Sequence, residues 1–134
     1  MRLNPYLSFN GTCAEAMKFY EKVLGAKVTS QQTWGESPMA SQVPAETHSK
    51  IIHASLDAGG STLMCSDAPP DRYETPKGIG VTLNFKDTAD GERVFKALAE
   101  GGNTEMPFQA TYWSTGFGMC RDRFGIPWMV NTGA

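Results

Sequence analysis

The side chains best suited to chemistry gather near the middle of the chain. His53, Cys65 and Asp67 fall within one short stretch. Imidazole, thiolate and carboxylate are the groups that hold Zn or Fe, and a His beside a carboxylate is the usual acid/base pair. Two readings stand at this point. One is a relocated metal or acid/base site around His53 and Asp67. The other is a His53 hydrogen-bonded within a sheet, with Asp67 capping the turn into Ala68-Pro69-Pro70. On a strand, Cys65 and Asp67 share a face that Met64 and Ser66 do not. His48 lies in a polar loop and reads as solvated.

Other residues suit binding better than catalysis. Met64 and Met129, with Trp113 and Phe117, could line an adaptable apolar pocket or serve as core. Trp34 stands at the mouth of a long loop and could fold over it. Gly116-Phe117-Gly118 places two glycines around an aromatic, which suits close approach of a ligand or backbone, a bulge or a dimer contact. Arg72, Lys77, Arg121 and Arg123 could receive an anion or simply be solvated.

Several chemistries lack their motif. Gly59-Gly60 reads as a hairpin turn and Gly101-Gly102 as a helix end, so no Gly-rich turn opens a helix to hold S-adenosylmethionine or a nucleotide. There is no Gly-x-Ser-x-Gly elbow and no P-loop. The 134 residues carry a net charge of −2, which argues against a nucleic-acid surface. With 40% hydrophobic residues the chain can bury a core without a staple. No segment approaches the ~20 apolar residues that span a bilayer, so no membrane partner is expected. Three scattered cysteines argue against a disulfide framework and point to a reducing, cytoplasmic setting.

The elements that must position these residues repeat. A shift of 76 places Leu7 on Leu83, Phe9 on Phe85, Thr12 on Thr88, Phe19 on Phe95 and Gly25 on Gly101. A shift of 65 places Asp57 on Asp122 and Met64 on Met129. The difference of 11 residues assigns an extra loop to the first half, over 35–49, which could act as a lid. Each half reads strand, helix, then three strands. In the first, Tyr6–Phe9 alternates, Thr12 and Glu15 form a capping box, and Gly25 stops the helix. Strands follow near Lys27–Thr33, Lys50–Asp57 and Ser61–Ser66. In the second, Val81–Phe85 is a strand and Thr88 caps the helix. Strands follow near Met106–Thr111, Gly116–Asp122 and Ile126–Asn131. This is one α+β domain, 1–134, with module one over 1–68, a linker over 69–78 and module two over 79–134. Leu7, Phe9, Leu83 and Phe85 should face the helices, leaving Tyr6, Ser8, Thr82 and Asn84 on a more polar face. Such a face suits a ligand or solvent.

Tyr6-Leu7-Ser8-Phe9-Asn10-Gly11, Ala14 to Gly25, His53-Ala54, Leu63 to Ala68, Trp113 to Gly118 and Asp122 to Met129 together resemble the vicinal oxygen chelate superfamily. That group includes glyoxalase I, bleomycin- and fosfomycin-resistance proteins and extradiol dioxygenases. The likeness is greatest to its PhnB-like branch, whose members often carry a 3-demethylubiquinone 3-methyltransferase-like label. It implies paired βαβββ modules forming a curved, eight-stranded mixed-sheet cleft, and usually a homodimer. It also implies a divalent metal held from the first and last strands of each module. Here those positions are Tyr6, Met64, Thr82 and Met129, and none is a His or carboxylate. No cofactor is therefore expected, a divalent metal remaining conceivable only at a relocated site.

The sequence thus reads as a homodimeric, bleomycin-resistance-like small-molecule binder without the usual metal ligands. The ligand-facing candidates are Tyr6, Ser8, Trp34, His53, Met64, Ser66, Thr82, Asn84, Trp113, Phe117, Met129 and Asn131. The alternatives are a lyase, isomerase or dioxygenase-like enzyme built on His53 and Asp67, and a non-catalytic interaction module.

Overall fold

Strand alternation and two amphipathic helices dictate the architecture, which a computed structural model describes for residues 1–133. The chain divides into two compact units, Met1–Glu74 and Thr75–Ala134. Module one contains β1 (Tyr6–Phe9), α1 (Cys13–Leu24), β2 (Lys27–Thr33), β3 (Ile51–Ala58) and β4 (Ser61–Asp67). Its sheet order is β1-β4-β3-β2, with β1 parallel to β4 and the remaining pairs antiparallel. Module two repeats this with β5 (Val81–Phe85), α2 (Thr88–Ala99), β6 (Asn103–Gln109), β7 (Gly116–Arg121) and β8 (Pro127–Thr132), in the order β5-β8-β7-β6. The expected α+β class and repeated βαβββ plan are what the chain adopts. Only β6 departs much from expectation, starting at Asn103 rather than Met106. It is an edge strand, where Pro107 can be accommodated without breaking an inner ladder.

In module one, Leu7 and Phe9 of β1 are buried, as are Ala54, Leu56, Leu63 and Cys65 on the same side. Helix α1 lays Ala16, Met17, Phe19 and Tyr20 on them. Gly25 ends the helix with φ +67°, the left-handed conformation that glycine adopts without strain. In module two, Val94, Phe95 and Leu98 of α2 are buried, as are Trp128 and Val130 of β8.

The helix starts differ from expectation. The Thr12 side chain makes no capping bond. Its place is taken by Asp67, which is only 3% exposed. One carboxylate oxygen accepts the Cys13 N–H at 2.9 Å, and the other accepts the Ile51 N–H at 2.9 Å. A buried carboxylate at a helix N-terminus gains both charge-assisted bonds and the helix dipole, which a neutral local hydroxyl cannot match. Asp67 therefore does not cap the turn toward Pro69. In α2 the cap is Asp87, which accepts the Asp90 N–H at 3.0 Å, and Thr88 is the first helical residue. The Thr88 hydroxyl instead joins Thr115 at 2.6 Å, Thr115 joins Thr132 at 2.8 Å, and Thr132 donates to the Gly116 carbonyl at 3.2 Å.

The glycines of Gly116-Phe117-Gly118 make room for the module's own rings. A Cβ on Gly118 would lie 2.7 Å from Phe95, and one on Gly116 would strike Phe108. Those two rings stand 5.8 Å apart.

Replacing Asp67 with Ala strands two buried amides and should cost about 3 kcal/mol in urea unfolding. Gly118→Ala should cost about 2 kcal/mol by overpacking Phe95.

Candidate functional site

The same alternation that buries one face of each sheet leaves the other open. In module one that face carries Tyr6 and Ser8 from β1, Met64 and Ser66 from β4, and His53 and Ser55 from β3. Tyr6 pairs with Met64, Ser8 with Ser66, and Ser55 with Met64. The Tyr6 and His53 rings lie 6.0 Å apart, and His53 Nε2 is 3.4 Å from the Ser55 hydroxyl. Tyr6 is 46% exposed.

Asp67 is not on this face. It points to the helix side with Cys65, and both its oxygens are taken by backbone amides. The His53–Asp67 pair that the sequence left open as one of two readings, and the wider His53, Cys65 and Asp67 group, therefore divide between opposite faces. The structural reason is strand parity: His53 is exposed while Ala54, Cys65 and Asp67 are buried. The buried Cys65 instead meets Cys13. The hydrogen bond between these thiols, together with burial, pushes Cys13 far above the usual thiol range. Trp34 spends its ring N–H on the Asp67 carbonyl at 3.3 Å. The loop beyond it is stitched at its base. Trp34 N–H bonds to the Lys50 carbonyl at 2.8 Å, Gly35 N–H to the His48 carbonyl at 3.0 Å, and the His48 ring reaches the Ala40 carbonyl at 2.8 Å.

In module two the open face carries Thr82 and Asn84 from β5, Met129 and Asn131 from β8, and Phe117, Met119 and Arg121 from β7. Thr82 pairs with Met129, and Asn84 with Asn131. Phe117 pairs with Asn131, and Met119 with Met129. The Asn131 amide N–H donates to Asn84 Oδ1 at 3.3 Å, while its own buried Oδ1 has no partner. Trp113, 50% exposed, packs edge-on against Phe117 at 5.3 Å and carries Tyr112 at 4.8 Å. Nearby, a cavity of about 300 Å³ lies among Gly78–Gly80, Glu105, Met119, Arg121 and Pro127–Met129. Arg121 donates through Nη1 to the Pro76 and Gly125 carbonyls, both at 3.0 Å, and its Nε lies 3.8 Å from Glu105. Arg123 rests over the Phe124 ring at 5.1 Å. Both arginines thus have contacts within their own module.

The four positions at which the resemblance expects a divalent metal fall into two register pairs, Tyr6 with Met64 and Thr82 with Met129. A phenol, an alcohol and two thioethers do not fit Mg, Mn or Zn, which take carboxylates, imidazoles or thiolates. Among the described residues, no three His, Cys, Asp or Glu side chains gather into a group able to hold a metal ion. Sequence reasoning did not single out Met119, Met106 or Glu105. Met119 shares strand parity with Phe117, which was the available signal; its cross-strand neighbours depend on register.

Paired βαβββ modules, each with one helix-covered and one open sheet face, define a glyoxalase-fold protein. The chain belongs to the Glyoxalase/Bleomycin resistance protein/Dioxygenase superfamily, whose family model matches residues 2–130. Among its relatives, Protein YjdN of Escherichia coli K12 is 38% identical over 139 residues, covering 98% of this chain and 95% of that one. The crystal structure of protein PA1353 from Pseudomonas aeruginosa is 44% identical, with a TM-score of 0.89 over 98% of this chain and 97% of that one. The PhnB protein from Bacillus cereus superposes with a TM-score of 0.82 at 22% identity, over 98% and 99% of the two chains. That last likeness is one of fold. No helix among the described residues is long and apolar enough to cross a membrane.

Burial, with Asp122 and Glu105 nearby, pushes the Cys120 thiol up to about 11. The native Cys13 and Cys120 thiols should therefore react with a disulfide reagent near pH 8 far more slowly than in the denatured chain. Between about pH 9 and about 11 the unfolded chain loses the Cys120 proton while the native state keeps it, so urea-measured stability should fall as pH rises.

Proposed function

We propose that this chain binds a small organic molecule on the open face of module two. The observation that carries this reading is Asn131, whose buried Oδ1 faces no donor of the protein. Such a group costs about 1–3 kcal/mol unless something satisfies it. A ligand N–H or O–H that moves the covering side chains aside would do so. Phe117, the neighbour of Asn131 in register, and Trp113 beyond it supply edges and faces for an apolar ring. Thr82 and Asn84 add hydroxyl and amide groups along the same face. Ser8, Met64 and Ser66 give module one a comparable mix of small polar and thioether groups, with Tyr6 and His53 beside them. A metal cofactor forms no part of this reading, because the four inherited positions lack ligands for a divalent ion. The working form is a cytoplasmic homodimer. Three buried cysteines outside any disulfide support the compartment, and exposed Ile79 and Tyr112 supply apolar surface for a second copy.

A melting-temperature screen of small aromatic amides, amines and phenols tests the assignment. A ligand at one hundred times its Kd stabilises by about 2.7 kcal/mol. Asn131→Leu should leave the unliganded protein equally stable or about 1 kcal/mol more so, and should abolish the ligand-induced shift. A shift that survives in Asn131→Leu overturns the placement of the site.

A further inference from the structure

We propose that Met106, Met119 and Met129 form a thioether site for a soft monovalent cation, Cu(I) or its redox-inert counterpart Ag(I). The three residues lie side by side across the sheet. Met106 of β6 pairs with Met119 of β7, and Met119 pairs with Met129 of β8. Paired residues of a regular ladder, such as Met119 and Met129, share a face with Cβ atoms about 5 Å apart; Met106 lies opposite Met119 between two register shifts of β6. A methionine side chain has three rotatable bonds beyond Cβ or leading to it, so neighbouring sulfurs at this spacing can converge on one ion. Thioether sulfur is a soft donor that selects Cu(I) over Mg, Mn or Zn. The ligand chemistry that fails the hard divalent ions therefore suits this one.

The surroundings favour a site over ordinary core. All three methionines remain accessible, Met106 at 40%. Met119 and Met129 line the cavity of about 300 Å³. Gly80 makes room for the end of Met129: a Cβ there would come within 2.9 Å of the Met129 methyl. Glu105, beside Met106 in sequence, lines the same cavity and offsets Arg121, whose Nη1 is anchored on two carbonyls. An incoming cation thus meets no unbalanced positive charge. Module one provides the internal contrast. Met64 has Ser55 and Tyr6 as its register neighbours and no thioether beside it.

The test is an Ag(I) titration of the intact protein labelled with ¹³C at the methionine methyls, followed by NMR in chloride-free buffer. One equivalent should shift the Met106, Met119 and Met129 signals together and leave Met39 and Met64 in place. Cu(I), added anaerobically against a chromogenic chelator, should bind at the same stoichiometry. Met119→Leu should weaken both ions at least tenfold; if that variant folds poorly, Met106→Leu on the exposed edge strand serves instead. Equal shifts at every exposed methionine, or capture by the cysteines with the three methyls unmoved, would overturn the site. The cation is read on methionine methyls and the organic ligand on the melting of Asn131→Leu, so either can fail without the other.

Discussion

The two backbone amides held by Asp67 tie module one together. Its carboxylate sits at the end of β4 and fastens the start of α1 and the start of β3 to that point. Its carbonyl also receives the Trp34 ring N–H, which brings in the far end of β2. Four elements thus meet at one buried residue. Because Asp67 must face the helix, every second residue back along β4 does too. Met64 and Ser66 are left to the open side by the same constraint. Module two solves the problem at the same register position with a neutral group. Phe9 pairs with Asp67 in one sheet, and Phe85 pairs with Thr132 in the other. Thr132 donates its hydroxyl to the Gly116 carbonyl and is itself met by Thr115, which in turn meets Thr88. Charge does the joining in one half and a chain of hydroxyls in the other.

The open faces follow from what the buried faces require. They carry small polar groups, amides and thioethers, with aromatic rings near their margins. In a superfamily named for glyoxalases, dioxygenases and resistance proteins, this chain keeps the scaffold and carries phenol, hydroxyl and thioether groups at Tyr6, Thr82, Met64 and Met129. No acid/base pair forms between His53 and Asp67, since they emerge on opposite sides of one sheet.

Much of the fold was legible in the sequence because its signals are local. Alternation marked Tyr6–Phe9 and Val81–Phe85, and Gly25 marked the stop of α1. The repeat of Leu7, Phe9, Phe19 and Gly25 as Leu83, Phe85, Phe95 and Gly101 revealed two modules. What escaped depends on register between distant segments. Thr12 has the right type to cap α1, yet a carboxylate far along the chain outcompetes it. The facing of His53 relative to Asp67 is fixed by how β3 meets β4, which no single strand encodes. Met106 reaches Met119 only after a bulge in β6 shifts the pairing by one. Gly116 and Gly118 announced a close approach without saying that Phe108 and Phe95 make it.

The unlike fastenings at Asp67 and Thr132 also bear on folding fidelity. A chain built from two similar halves risks strand exchange, in which the last strand of one half docks on the helix of the other. With β8 in the place of β4, the amide that starts α1 would meet a hydroxyl and a methyl group instead of a carboxylate. With β4 in the place of β8, a buried charge would face the Gly116 carbonyl and repel it. One wrong assembly gives up a charge-assisted bond and the other sets a carboxylate against a carbonyl, so the unlike fastenings disfavour exchange between the halves.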